Sequence, residues 1–596
     1  KLAEAVSLPI VIAFDGFFTS HQKRTCLVFE NDQDVLDYLG SKPPAFSLLD
    51  FEHPITIGSY MNEPDIQNNK YNIHLAMEQA NELLPSILTQ FSTISGRKYE
   101  LCDAYRHEDA DILLLLLGSS YHTAKEAVDL VRNKKIKAGI ITVHVLRPFP
   151  GKELATLCKN AKTIIACDRQ DSYGGHGGNL SIELRAALQT YHTDRHIHVL
   201  SRVYGLGGQD FYVEDAVQLI EDAMSESAKS FSYFGIKEPL DGVFPKPSIP
   251  KQFFAPLSEQ EQSPSITSCH YDEDLKKMIV SSCQTAEFTR MPNRLAPGHA
   301  ACPGCGIPVN VNLLLKGIEG NVILLFHTGC GMVVTTGYPK TSFRIPYLHN
   351  LFQNGAATLS GVEAAFHELK RRGEYPQGDV TFIMISGDGG MDIGMGSALG
   401  SALRNQHIIM FEYDNGGYMN TGYQLSYSTP KGAKSATSHI GKYQYGKSFF
   451  HKDTPQIMAA ANIPYIATVA ESNPVDFVKK AAKAAAYAKE FGTVYLKALS
   501  ACPLNWSDPP NLERQVIQAA VDCCYFPLYE IEQGITTLNY DPQAKNKKIP
   551  VLDWLSMMGR TKHLKEDCYQ EIVNDIQAET DRRFARLKAR FENPML

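Results

Sequence analysis

Two glycine-rich turns, each entered from an apolar strand-like run, constrain this 596-residue chain more than any other feature. Residues 380–386 run directly into Gly387-Asp388-Gly389-Gly390, and residues 408–413 run into Asp414-Asn415-Gly416-Gly417. The 27 positions from Asp388 to Asn415 leave room for a helical crossover that returns the chain to a neighbouring parallel strand. Both turns then leave the carboxyl ends of strands, where open α/β sheets bind ligands and where glycines let backbone N–H groups approach a diphosphate. Asp388 and Asn415 could share one ion there. An Asp carboxylate, an Asn carbonyl and a main-chain carbonyl, completed by diphosphate oxygens, make the hard octahedral set that Mg²⁺ requires. A turn is the default reading of an isolated Gly-Asp-Gly, but the strand context and the spaced Asn set it aside.

The rest of the chain supports an α/β architecture in several domains, about three or four for this length. Residues 9–14 form an apolar β-type run that meets Asp15-Gly16, which reads as the last strand and turn of a domain whose body lies upstream. The opening Lys1-Leu2-Ala3-Glu4-Ala5 accordingly reads as internal. Pro43-Pro44 and Asn68-Asn69 signal loops, followed by a helix over 73–94. Strand and helix patterns alternate at 111–117, 124–132, 138–145, 151–159 and 163–168, which implies a parallel sheet with crossover helices. The cluster Gly174-Gly175-His176-Gly177-Gly178 fits a phosphate loop, and it fits tight helix–sheet packing at least as well. Closely spaced prolines at 245, 247, 250, 256 and 264 suit an extended linker over about 237–268. Alternation then resumes at 322–326, 361–369, 380–386, 397–404 and 408–413 and gives way to a long polar loop reaching about 448. The last hundred residues read as mostly helical, and the charged helix 575–591 as a packing or solvent-exposed face.

Cys302-Pro303-Gly304-Cys305 presents a C-x-x-C loop, with Cys330 25 positions beyond Cys305 and Cys502 after a later strand. Four thiolates hold either a [4Fe-4S] cluster or a zinc ion, and the spacing alone does not choose. The other nine of the thirteen cysteines lack partners at ligand spacing and read as ordinary thiols. Their irregular pattern is unlike a disulfide framework and points to a reducing cytoplasm. A net charge of -7 gives no reason to expect nucleic acid as partner. The longest apolar run, at 112–117, falls far short of the roughly 20 residues of a membrane span. His299, His327 and His349 could serve as acids or bases, but structural or supporting roles are the default for such histidines.

Five segments in order resemble the thiamine-binding part of pyruvate:ferredoxin oxidoreductases: Cys-Pro-Gly-Cys-Gly from Cys302, Thr-Gly-Cys ending at Cys330, Gly-Asp-Gly-Gly-Met-Asp-Ile-Gly from Gly387, Asp-Asn-Gly-Gly-Tyr-Met-Asn-Thr-Gly from Asp414, and Ala-Cys-Pro-Leu-Asn-Trp from Ala501. The resemblance runs from Gly298 to about Leu528. Residues 1 to about 235, with Leu146-Arg147-Pro148-Phe149-Pro150, look like the end of the family's pyrimidine-binding domain and its next α/β domain. It implies an open parallel-sheet thiamine-diphosphate-binding fold plus a transketolase C-terminal-like α/β domain. The divisions would be 1–25, a tail of the pyrimidine-binding domain; 26–235, the transketolase-like domain; 236–287, a linker; 288–530, the cofactor domain; and 531–596, a helical extension.

Carried over residue by residue, the resemblance assigns Cys302, Cys305, Cys330 and Cys502 to a [4Fe-4S] cluster, and Asp388, Asn415 and the Gly417 carbonyl to Mg²⁺. Asn420 would face the substrate carboxylate, while Ile307, Cys330 and the stretch Gly387, Asp388, Gly389, Gly390 would complete the thiamine diphosphate pocket. The implied reaction is CoA-dependent oxidative decarboxylation of pyruvate, reversible, with electrons passed to ferredoxin or a similar carrier. Iron fits this chemistry and zinc, lacking an accessible redox change, does not. The glutamate that activates the aminopyrimidine, the γ domain and a two-cluster ferredoxin-like domain have no counterparts here and are expected on other chains of an oligomer. The family often has Asp-Asn-Glu-Ala where this chain has Asp414-Asn415-Gly416-Gly417, and Gly-Ile-Gln where it has Gly422-Tyr423-Gln424. Those departures leave open oxalate, 2-oxoglutarate, a branched-chain or an aryl 2-oxoacid as substrate. A non-oxidative thiamine enzyme and a zinc-stabilised interaction subunit are the remaining alternatives.

Overall fold

The computed structural model describes residues 1–16, 18–40, 52, 62–191, 196–225, 227–236, 267–337, 341–374 and 378–596. They fall into two compact α/β units, Lys1–Pro245 and Lys246–Leu596.

In the first unit β1 (Cys102–Tyr105), β2 (Ile112–Leu115), β3 (Ala138–Val143), β4 (Thr163–Asp168), β5 (His198–Val203) and β6 (Phe231–Tyr233) form one sheet in the order β1-β3-β2-β4-β5-β6. All pairings are parallel except β1 with β3. The strands are apolar on both faces because helices cover both. Leu113, Ile141 and Ile164 pack against helices Gly151–Leu157 and Asn179–Tyr191. Leu114, Ile140 and Ile165 pack on the other side against Ser120–Asn133 and Val213–Asp222. The Gly174–Gly178 cluster serves that packing: Asp168 accepts the N–H groups of Leu180 at 2.8 Å and Ser181 at 3.3 Å, and a Cβ on Gly178 would overlap the Asp168 carboxyl.

The second unit opens with a hairpin, β7 (Cys269–Asp272) and β8 (Lys277–Val280). Its main sheet contains β9 (Asn321–His327), β10 (Tyr347–Asn350), β11 (Val380–Gly387), β12 (Ile408–Asp414), β13 (Tyr465–Val469), β14 (Val494–Leu499), β15 (Tyr529–Glu532) and β16 (Ile535–Leu538), in the order β10-β9-β11-β12-β14-β13-β15-β16. The first six strands are parallel and the last two are added antiparallel. Ile383, Ile385, Ile409 and Phe411 pack against helices Gly306–Lys316 and Pro474–Glu490, and Phe382, Met384 and Met410 against Gly355–Arg371 and Met395–Leu403.

Four expectations from sequence need correction. Residues 9–14 form no strand, and Val11 and Ile12 are 90% and 85% exposed, because a β-type run needs a neighbouring strand to take its N–H and C=O groups. Asn68 and Asn69 lie inside the helix Asp65–Ser95, whose propagation over many turns overrides two weak helix formers. The C-terminal part of the linker region 236–287 is built structure: Met278 is fully buried and Tyr271 packs its ring 5.1 Å from that of Phe491. A division at 530 would cut β15, and the sheet continues to Leu538 before the helical segments begin. Pro43-Pro44 and the prolines at 245–264 lie outside the described residues. Among the described residues no helix is long and apolar enough to cross a membrane.

Candidate functional site

The register of β11 with β12 sets Gly387 opposite Tyr413, so the two glycine turns leave neighbouring strands at one level. Asp388 opens a short helix, Asp388–Ile393, and is 1% exposed. Its Oδ2 accepts hydrogen bonds from the Gly417 N–H at 2.9 Å and from the Ser426 hydroxyl at 2.5 Å. The side-chain oxygen of Asn415 lies 3.0 Å from the Gly417 carbonyl oxygen and 3.1 Å from Asp388 Oδ1, facing acceptors only. Turned over, the Asn415 amide would donate to both. As the oxygens stand, their spacing is that of adjacent ligands on an octahedral Mg²⁺, about 3.0 Å for metal–oxygen bonds of about 2.1 Å. The three groups named from sequence therefore converge on a place where a hard divalent cation fits.

The surroundings of this place explain both its glycines and its charge. A Cβ on Gly389 would overlap the Tyr418 ring, whose hydroxyl donates to Asp392 at 3.1 Å, so this glycine admits an aromatic side chain as well as a ligand. Gly416 has φ +67°, and an added Cβ would press on the Arg560 guanidinium. Burial, reinforced by the charge of Asp414, pushes the Asp388 carboxyl up to about 8. Burial also raises Asp414, but the Lys497 ammonium at 2.7 Å outweighs it and holds that carboxyl below its ordinary value. Lys452 joins the same buried network: it donates to the Asp388 carbonyl at 2.8 Å and pairs with Asp392 at 2.5 Å and Glu412 at 3.8 Å. A divalent cation would take the place of the Asp388 proton.

The four cysteines named from sequence gather beside this loop, at the carboxyl ends of β9 and β14 and at the start of the helix Gly306–Lys316. Burial raises Cys305 and Cys330 to about 12, and the charges of the other thiols in the set add to that. Working against it, the backbone N–H of Ile307 lowers Cys305, that of Asn420 lowers Cys330, and those of Asn505 and Leu504 lower Cys502. Such donors favour thiolate and tune iron–sulfur potentials. Gly304, at φ +75°, lets the C-x-x-C loop press against Pro510. Among the described residues no three His, Cys, Asp or Glu side chains are gathered as a single-ion site.

Ile307 is buried in the first turn of Gly306–Lys316, and Asn420 is exposed at the far end of the loop that begins at Asn415. His327 is buried, with Nδ1 3.0 Å from the Ser386 hydroxyl, which fits its structural reading. His349 Nε2 lies 2.8 Å from the Thr328 hydroxyl, and His299 Nδ1 is buried without a partner. Sequence reasoning missed Ser426, Lys452 and Arg560, because they reach the site only through tertiary contacts. It quoted Asp392 and Trp506 within motifs without their roles: Asp392, one turn after Asp388, pairs with Lys452, and the Trp506 indole N–H donates to the Asn415 carbonyl at 2.7 Å.

Three family models match parts of the chain. Residues 110–216 match the pyruvate:ferredoxin oxidoreductase core domain II. Residues 1–87 match the thiamine-diphosphate-binding domain of pyruvate flavodoxin/ferredoxin oxidoreductases, and 327–497 the C-terminal TPP-binding domain of thiamine pyrophosphate enzymes. Over 279 residues the chain is 42% identical to the pyruvate synthase subunit PorB of Methanocaldococcus jannaschii, covering 46% of this chain and 92% of that protein. It is 33% identical over 274 residues to the ketoisovalerate oxidoreductase subunit VorB of Pyrococcus furiosus, covering 45% of this chain and 86% of that one. A solved 2-oxoglutarate:ferredoxin oxidoreductase from Magnetococcus marinus aligns with a TM-score of 0.30 at 20% identity, over 35% of this chain and 67% of its own.

Proposed function

Because the chain belongs to the pyruvate:ferredoxin oxidoreductase family, a family of thiamine-diphosphate-dependent enzymes that oxidise 2-oxoacids, we propose that it is the part of such an enzyme that carries out the chemistry on pyruvate. The observation that carries the reading is the loop from Asn415 to Asn420. One end stands beside Asp388 in the oxygen cluster, and the N–H of the other acts on the Cys330 thiol, favouring its thiolate. In this reading a carbon centre and an electron acceptor stand side by side.

In this reading Asp388, Asn415 and the Gly417 carbonyl hold Mg²⁺ against the diphosphate, with Gly387, Gly389, Gly390 and Ile307 around the cofactor. Cys302, Cys305, Cys330 and Cys502 hold a [4Fe-4S] cluster. When bound, thiamine diphosphate supplies the electron sink for loss of CO₂ and the cluster takes the electrons singly. Asn420 binds the substrate carboxylate, and the N–H donors at the sulfurs set how readily electrons leave. CoA accepts the acyl group, ferredoxin or a similar carrier takes the electrons, and partner chains supply the remaining domains. A branched-chain 2-oxoacid is the second reading, favoured by the VorB relative.

The test is an anaerobic assay of the enzyme with its partners. Pyruvate should reduce a viologen dye in a CoA-dependent manner, faster than 2-oxoisovalerate, 2-oxoglutarate or oxalate. CO₂ release that proceeds equally without any electron acceptor would overturn the oxidative reading, and faster turnover of 2-oxoisovalerate would establish the second.

A further inference from the structure

The helix Gln570–Glu592 turns one stripe inward, with Val573, Ile576, Phe584 and Leu587 buried. Beside that stripe run Glu579, Arg583, Arg586 and Arg590, whose spacing of four, three and four residues keeps them on one helical face. That face lines a cavity of about 360 Å³, within the usual size of small-molecule sites. Across the cavity stand Trp506, Tyr525 and Trp554, with Arg560 and the turn residues Asp414 and Gly416. Asp388, Asn415 and Gly417 do not line it, so it is separate from the proposed Mg²⁺ site, although one wall is shared.

The charges around the cavity do not balance. Lys497 is paired with Asp414 and Glu412, and Lys452 with Asp392 and Glu412. Arg582 and Arg583 share the single carboxylate of Glu579. Three guanidinium groups remain without a carboxylate at ion-pair distance among the described residues, although the charges of Asp414, Asp388 and Asp508 reach Arg560. Arg560, 4% exposed, lies over the Trp506 ring at 4.6 Å and donates only to the Gly416 carbonyl at 3.1 Å and the Asn505 side chain at 3.2 Å. Arg590 donates to the neutral Gln456 amide oxygen, and Arg586 has no hydrogen-bond or ion-pair partner among the described residues. Asp453, the one other acid lining the cavity, accepts the N–H of Gln456 and caps the helix that begins at Thr454.

Unpaired guanidinium groups around a partly open, largely apolar cavity disfavour one another and favour an anion, and their planar forks match phosphate oxygens. We propose that this cavity binds an organic phosphate, its phosphoryl group held by Arg560, Arg586 and Arg590 and its apolar or ring-bearing body laid against Tyr525 and the apolar wall that continues through Pro527 and Leu499. The ligand class follows from the two-sided lining: a purely inorganic anion would leave the apolar wall unused, and an apolar ligand would leave the charges unpaired. This inference does not depend on which 2-oxoacid the enzyme takes.

Equilibrium dialysis of the complete enzyme, already saturated with thiamine diphosphate and Mg²⁺, tests it with AMP and with inorganic phosphate as probes. AMP should bind saturably, phosphate should compete weakly, and the paired substitution Arg586→Gln with Arg590→Gln should weaken AMP at least about tenfold, the scale of losing one charge-assisted contact. Both residues are exposed on the helix, so the thermal midpoint should stay unchanged. Arg586→Glu alone gives a second check and should weaken AMP as well. Phosphate binding as tightly as AMP would overturn the organic body. No saturable binding of either probe, or AMP binding that both variants leave untouched, would overturn the site.

Discussion

The side-chain amide of Asn415 stands 3.1 Å from Oδ1 of Asp388, 27 positions away in the chain. With its oxygen towards that carboxylate the pair needs a cation between them, and with its nitrogen there it donates a hydrogen bond to it. Asn415→Leu should therefore leave the fold intact and raise the dissociation constant for thiamine diphosphate in the presence of Mg²⁺ by at least about 100-fold, the upper scale for disturbing a metal's supporting ligands. Titration of the cofactor by tryptophan fluorescence, with circular dichroism as a control, measures it.

Ser426 acts on the same carboxylate from the other side, since its hydroxyl donates to Asp388 Oδ2. Ser426→Ala removes that donor without touching a ligand. The affinity for the Mg²⁺–thiamine diphosphate pair should fall by about 10- to 100-fold, and raising free Mg²⁺ should recover much of it. An affinity equal to that of the unsubstituted protein would show that the hydroxyl does not position Asp388.

How much of this was legible in the sequence differs from element to element. The strand–turn pairs at Asp388 and Asn415 were legible because apolar runs ending in glycine turns dictate parallel strands, and the register that sets Gly387 against Tyr413 follows from one crossover. The four cysteines were legible through motifs, not through spacing, which left iron and zinc level. The loop after Gly417 was legible as long and polar, but its burial was not: Ser426, Ser428, Thr429, Ser435 and Lys447 are all buried in it. Polar composition signals solvent exposure unless hydrogen-bond partners are known, and those partners come from distant parts of the chain. Arg560 lies 144 residues from Gly416, whose carbonyl it binds, and no local pattern marks it. The hairpin at 269–280 was hidden by the linker-like composition just before it.

Lys452 pairs with two buried acids, Asp392 and Glu412, and donates to the Asp388 carbonyl. Lys452→Met leaves Asp392 and Glu412 without it in a dry environment, and unfolding free energy should fall by about 3–5 kcal/mol. Chemical denaturation followed by circular dichroism reads this directly.

Burial, with the charge of His349 adding to it, lowers His327 to about 4. An unfolded histidine titrates near 6.5, so folding favours the neutral ring. The stability it contributes is whole above about pH 6.5 and is lost as pH falls towards 4. The thermal midpoint should drop over that window, and His327→Gln should lower it at neutral pH while making the acid decline shallower. A decline just as steep in the variant would assign the acid sensitivity to other groups.

Iron, acid-labile sulfide and zinc, measured anaerobically on the protein purified with its native partners and compared with Cys502→Ala, test most directly whether the four thiols serve a redox cofactor beside the thiamine site. Equal iron and sulfide, with one four-iron cluster per chain lost in the variant, is the predicted result; zinc without sulfide, or iron that Cys502→Ala leaves unchanged, would contradict it.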